Sequence, residues 1–238
     1  MQLTLTDLAH RVDLSAVRAD VDAAEIRALC DAARQYHCAA VSILPCYTAE
    51  ARELLRGAPE VCLDGNVGFP SGAELTQTKV AQARALVELG CAELDMVMNI
   101  GWLRSGRDAA VEDDIRAVVA AAEGRAVKVI LEVVYLTGDE IRRACEACLR
   151  AGAAFVKTGT GWASRPTTVE HVRLIRSLVG DRAGIKASGG IGDIPTVAAM
   201  YRAGATRFGF GYRTGIRILH EWAALPGQAL EIEAGCAA

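Results

Sequence analysis

The sequence predicts an α/β fold, a single (β/α)8 TIM barrel covering residues 1–238 as one domain. Three observations carry this. Short apolar, β-branched runs alternate almost without break with helical stretches rich in Ala, Leu, Arg and Glu. Those runs read as continuously apolar, the pattern of strands buried on both faces of a parallel sheet. The chain is also about as long as eight β/α units require. An open doubly wound sheet is the competing architecture, but it normally carries a glycine fingerprint after its first strand. Here Leu44 is followed by Pro45, Cys46 and Tyr47.

In chain order, a short first strand is expected at 8–12, where Leu8 and Val12 bracket a small apolar run, with a helix at 23–35. A second strand at 39–44 leads to a helix at 48–55, and a third at 61–67 to a helix at 75–89. The fourth strand, 92–98, precedes a helix at 109–122, and the fifth, 127–133, a helix at 139–151. Strands at 153–158, 184–187 and 206–210 alternate with helices at 168–179, 194–202 and 216–223. Gly90, Gly152, Gly180 and Gly204 follow helical stretches, where a left-handed C-terminal residue favours glycine. No linker, low-complexity tract or solenoid-length repeat interrupts the series.

Twenty-six Lys plus Arg against 29 Asp plus Glu leave a formal charge of −3, which argues against a nucleic-acid or acidic-membrane partner. With 52% hydrophobic and 23% charged residues, the chain can build a large core and is not disordered. No run approaches the roughly 18 apolar residues of a membrane span. The opening residues show neither the basic head nor the apolar stretch of a signal peptide, so a cytoplasmic location is expected. Cys145 and Cys148 form a C-x-x-C, but it lies within a helical run with no second ligand pair, so the thiols read as small buried hydrophobes. No H-x-x-x-H or carboxylate cluster suggests a metal.

Only four of the basic residues are lysine: Lys79, Lys128, Lys157 and Lys186. Arginine stays charged and is no practical nucleophile, whereas a buried lysine can lose its proton. Barrel enzymes work at the C-terminal ends of their strands. Those ends carry Glu93 and Asp95 on the fourth strand, Lys128 and Glu132 on the fifth, Lys157 on the sixth and Lys186 on the seventh. Two lysines on nearby strands with an aspartate across the barrel suit an amine kept free near neutral pH, since one ammonium depresses the pKa of its neighbour. The alternative is a structural Lys–Asp salt bridge.

Glycine-rich turns follow the later strands: Gly159 and Gly161, Gly189 and Gly190, then Gly209, Gly211 and Gly215. In this fold the last loops commonly bind phosphate through backbone N–H groups. Arg213, just beyond Gly211 and Tyr212, could supply a guanidinium or simply cap the surface of the last helix. His10 could line the site near the first strand, and Trp102 and Trp162, in the loops after strands 4 and 6, could wall it.

Taken together, VGFPSG at 67–72, ELDMVMNIGWLRSG at 93–106, VKVILEV at 127–133, AGAAFVKTGTGW at 151–162 and IKASGGI at 185–191 resemble the deoxyribose-phosphate aldolases, class I aldolases on a TIM barrel. The resemblance implies a cofactor-free lyase in which Lys157 forms the Schiff base, Lys186 lowers its pKa and Asp95 orients or relays protons. It implies a small aldehyde or sugar-phosphate substrate, 2-deoxy-D-ribose 5-phosphate giving D-glyceraldehyde 3-phosphate and acetaldehyde. Gly161, Gly189, Gly190, Gly211 and Arg213 are the expected phosphate-binding positions, and a homodimer is compatible with it. The chain departs from the family where a serine pair normally follows the last strand, here Gly211-Tyr212, and no tyrosine follows Tyr212. Two other readings stand beside it: an aldolase-like enzyme or cyclase acting on a different, non-phosphorylated aldehyde or ketone, and a non-catalytic barrel scaffold.

Overall fold

The computed structural model describes residues 2–232. Eight parallel strands close into a barrel in sequence order. They are β1 (Val12–Ala16), β2 (Ala40–Ile43), β3 (Cys62–Val67) and β4 (Glu93–Val97), then β5 (Ala126–Ile130), β6 (Phe155–Lys157), β7 (Gly184–Ser188) and β8 (Arg207–Gly211). Pairing of β8 with β1 completes the ring. Helices occupy the outside, and a two-stranded antiparallel ribbon, Gln2–Thr4 with Ala229–Glu231, joins the two ends of the described chain. Among the described residues no helix is long and apolar enough to cross a membrane.

The helices follow local signals. Thr137 caps Gly138–Ala151 reciprocally with Glu140, and Gly152 ends it in the left-handed conformation at φ 83°. Cys145 and Cys148 lie on its buried face, where burial pushes the Cys145 thiol up to about 12 and holds that of Cys148 well above the ordinary thiol range. Their environment is that of inert packing groups.

Two expectations need correction. The first strand runs from Val12 to Ala16, not over 8–12. Leu5–Ala9 is instead a helical turn, because Thr4 accepts the Asp7 N–H while the Asp7 carboxylate accepts the Thr4 N–H. The strands are also less uniformly apolar than they read. Leu14, Leu94, Val129, Val156 and Ile185 face outward beneath the helices and are buried there. Asp13, Asp64, Asp95, Lys128, Lys157 and Lys186 alternate with such residues and fill the lumen. The apolar core is therefore the shell between sheet and helices, and the barrel axis is polar.

Candidate active site

Strand register assembles the centre. Asp95 pairs with Lys128 on β5, Lys157 of β6 with Lys186 of β7, and Lys186 with Arg207 of β8. Asp95 Oδ2 accepts hydrogen bonds from Lys157 Nζ at 2.5 Å and Lys186 Nζ at 2.7 Å. Lys186 also reaches Asp13 Oδ2 at 2.5 Å and Asp64 Oδ2 at 3.4 Å. Below this pair, Lys128 contacts Asp64 at 3.0 Å, Asp95 at 3.1 Å and Glu93 at 2.8 Å. Arg207 closes the cluster against Asp13 and Glu93. Gly209 makes room for it: a Cβ there would lie 3.0 Å from Ser188 Cβ and 3.3 Å from Lys186 Cε.

The charges are arranged unequally. Burial lowers the pKa of Lys157, the cation of Lys186 lowers it further, and Asp95 opposes both without cancelling them. Lys186 feels the same burial, but Asp13 and Asp95 outweigh it and hold its ammonium above the ordinary range. Asp95 is likewise penalised by burial, yet Lys128, Lys157 and Lys186 hold it well below the usual carboxylate range. Burial and the charge of Asp95 push Asp64 up to about 6. Of the two adjacent lysines, Lys157 is thus the one inclined to be a free amine and Lys186 the one that stays an ammonium. The neighbouring cation expected from the sequence acts in the predicted direction, but burial is the larger cause.

Lys157 opens onto a cavity of about 360 Å³ shared with Asp13, Ser42, Asn66, Lys186 and the glycine loops. Gly161, Gly189 and Gly190 have φ of 83°, 94° and 77°, and a Cβ on Gly190 would fall 2.4 Å from Pro166 Cβ. The loops are fastened from behind. Thr167 N donates to Gly189 O at 3.0 Å, Ser188 Oγ to Gly159 O at 2.5 Å, and buried Glu132 accepts from Thr160 N at 3.2 Å. Glu132 therefore braces a loop and is absent from the cavity lining.

At the mouth, Gly211 borders the cavity with nothing within 4 Å of a Cβ position. Arg213 borders it too, but its side chain is 71% exposed and lies 3.6 Å from Glu25, which Arg18 already holds through two hydrogen bonds. Trp162 forms part of the wall, with its Nε1 donating to Val17 O at 3.0 Å and its ring edge-on to Phe69.

The comparisons agree with this geometry. A family model described as DeoC/LacD family aldolase matches residues 6–220. The chain belongs to that family. It is 42% identical over 237 residues to the deoxyribose-phosphate aldolase of Klebsiella pneumoniae subsp. pneumoniae, covering 97% of this chain and 95% of the relative. Against the Mannheimia succiniciproducens deoxyribose-phosphate aldolase it is 46% identical over 203 residues, 85% of this chain and 90% of the other. The tetrameric deoxyribose phosphate aldolase of Aeropyrum pernix superposes with a TM-score of 0.85 at 28% identity, over 94% of each chain.

For this aldolase, the structure brings Lys157, Lys186 and Asp95 into one hydrogen-bonded group and gathers Gly161, Gly189, Gly190, Gly211 and Arg213 around the same cavity. His10 does not join them. It is exposed and lines a separate recess with Arg11 and Arg207, on the N-terminal side of the strands. Trp102 lies in the helix Ile100–Arg104 rather than a loop, packs against Arg107 and does not border the cavity. The stretch after Tyr212 in which no tyrosine occurs ends outside the described residues. Asp13, Asp64, Asn66 and Arg207 were missed by the sequence reading. A polar residue at every second strand position (Asp13 and Ser15, Asp64 and Asn66, Glu93 and Asp95) is the signal that would have found the first three, whereas Arg207 is followed by Gly209 and Gly211 and carries no such pattern.

Proposed function

We propose that this chain cleaves 2-deoxy-D-ribose 5-phosphate reversibly to D-glyceraldehyde 3-phosphate and acetaldehyde through a Schiff base on Lys157. The observation that carries the reading is the pair of adjacent lysines sharing Asp95, one with a lowered and one with a raised pKa. The free amine adds to C1 of the open-chain sugar, and loss of water gives an iminium. Removal of the C3 hydroxyl proton releases the C2–C3 bonding pair, which becomes the C1=C2 bond of an enamine as the iminium nitrogen accepts electrons. C3 leaves as the aldehyde carbon of glyceraldehyde 3-phosphate. Protonation of C2 and addition of water then free acetaldehyde and regenerate the amine. Asp95, which accepts hydrogen bonds from both lysines, and the Lys186 ammonium are the groups that move these protons.

The glycine loops favour a phosphate at the far end of the cavity through backbone N–H groups. The mouth favours a second reading, in which the physiological acceptor is uncharged. Both bordering arginines are already turned to Glu25, and Trp162 and Phe69 supply an apolar wall. The described cysteines are all unpaired, which suits the reducing cytoplasm. Acetaldehyde release from deoxyribose 5-phosphate and from deoxyribose tests both readings. Turnover of the phosphate ester far above the free sugar supports the first. Comparable turnover moves the assignment to the second, and no turnover of either withdraws both.

A further inference from the structure

Asn66 on β3 is the register partner of Asp95 on β4 and borders the cavity. Its Nδ2 donates to Ile43 O at 2.8 Å and to Ser42 Oγ at 3.1 Å. A backbone carbonyl can only accept, so the group facing Ile43 is the NH2, which fixes the orientation of the amide. Its other atom, Oδ1, is buried without a hydrogen-bond partner in a residue that is 1% exposed. A buried acceptor left empty is costly and calls for a donor. Of the charged groups bordering that space, Asp13, Lys157 and Lys186 are engaged with one another or with Asp95, and Arg18 and Arg213 with Glu25.

We propose that Asn66 Oδ1 is a specificity determinant that accepts a hydrogen bond from the substrate hydroxyl adjacent to the cleaved bond but not consumed in it. In the sugar this is the C4 hydroxyl, which becomes the α-hydroxyl of the acceptor aldehyde. The proposal rests on the aldolase reading and extends it to the class of acceptor, α-hydroxyaldehydes. The chemistry selects this hydroxyl over its neighbour. The C3 oxygen gains or loses a proton in every turnover and needs a titratable partner, which Asp95 and Lys186 provide. An amide oxygen takes up no proton near neutral pH, so it suits a hydroxyl that stays protonated throughout. A site built around such a hydrogen bond discriminates strongly against an analogue that lacks the hydroxyl.

The test compares glycolaldehyde with propanal as acceptors for acetaldehyde, since they differ by a hydroxyl in place of a methyl. The expected kcat/KM ratio in wild type is at least about tenfold in favour of glycolaldehyde. It should fall by about tenfold or more in Asn66→Leu, with Asn66→Ala as the alternative should the leucine variant not fold. A wild-type ratio near one overturns the proposal, as does a folded variant that keeps the wild-type ratio. If neither variant folds, the wild-type ratio decides alone. Borohydride trapping of acetaldehyde by the wild-type enzyme separates the Schiff-base chemistry from the role of Asn66. Absence of any adduct withdraws the aldolase reading, whereas an adduct without acceptor preference withdraws only the role of Asn66.

Discussion

Lys157 Nζ lies 2.5 Å from Asp95 Oδ2, and Lys186 Nζ donates to that same oxygen at 2.7 Å. One carboxylate oxygen thus serves two amines of opposite character. Asp95→Asn keeps the shape of the side chain and removes the charge that raises both lysines. Turnover should fall by about 10²- to 10⁴-fold, the usual contribution of general acid–base catalysis. Because Asp95 raises the pKa of Lys157, the residual activity should appear at lower pH than in wild type. A folded variant, checked by circular dichroism, with wild-type turnover would reduce Asp95 to a structural ion pair.

Lys186→Leu acts in the other direction. Activity needs the free amine of Lys157, so its rising limb follows the lowered pKa of that residue. Burial causes most of the lowering and Lys186 adds to it. Removing the ammonium should therefore move the limb to higher pH, though not as far as an exposed lysine, while turnover falls. A pH–rate profile with the limb unmoved would assign the lowering to burial alone.

Stability should carry the mark of Asp64. Its folded pKa, about 6, lies above the ordinary carboxylate value of 3.8, with burial as the first cause. The stability tied to its neutral form is fully present below pH 3.8 and is lost as pH rises through 6. Asp13, held to about 2 because Lys186, Lys128 and Arg207 outweigh its burial, contributes oppositely and loses its share only as pH falls towards 2. Asp64→Asn should flatten the decline in urea-unfolding stability between about pH 4 and 7, by roughly 1–3 kcal/mol. Parallel curves for variant and wild type would contradict the assignment.

The mouth offers a gain-of-function test. Gly211 stands where the family resemblance leads one to expect a serine, and a Cβ there meets nothing within 4 Å. Gly211→Ser should fold normally and raise kcat/KM for deoxyribose 5-phosphate several-fold, in line with a hydrogen bond to a charged group worth about 1.5–3 kcal/mol at most, without raising that for deoxyribose. Arg213→Ala reports on the guanidinium. A phosphate preference that collapses in this variant means that Arg213 swings inward from Glu25, and an unchanged preference leaves the loops as the only phosphate donors.

The barrel was legible because its outer shell obeys sequence rules: apolar runs of strand length, helices with Thr or Asp caps and glycine ends. The amine pair was legible because lysine is scarce. All four lysines are at most 6% exposed, and Lys79, outside the site, is buried against Asp114 and the carbonyl of Val97. The interior was harder to read. Asp13 lies in a strand shifted from its expected position by the Thr4 cap, and Asp64 follows Leu63 in a run that reads as apolar. Their roles depend on closure of β8 onto β1, a contact between distant parts of the chain that no local pattern encodes. Arg213 shows the same limit at the surface, because the carboxylate it meets, Glu25, sits on a remote helix.

Lys157, and not its neighbour Lys186, is the proposed nucleophile. Incubation with deoxyribose 5-phosphate or acetaldehyde, reduction with borohydride and peptide mapping by mass spectrometry test it directly. A reduced adduct on the peptide carrying Lys157, lost in Lys157→Arg although the charge is kept, is the predicted result. An adduct on Lys186 with Lys157→Arg still active, or turnover with no trapped adduct at all, would contradict it.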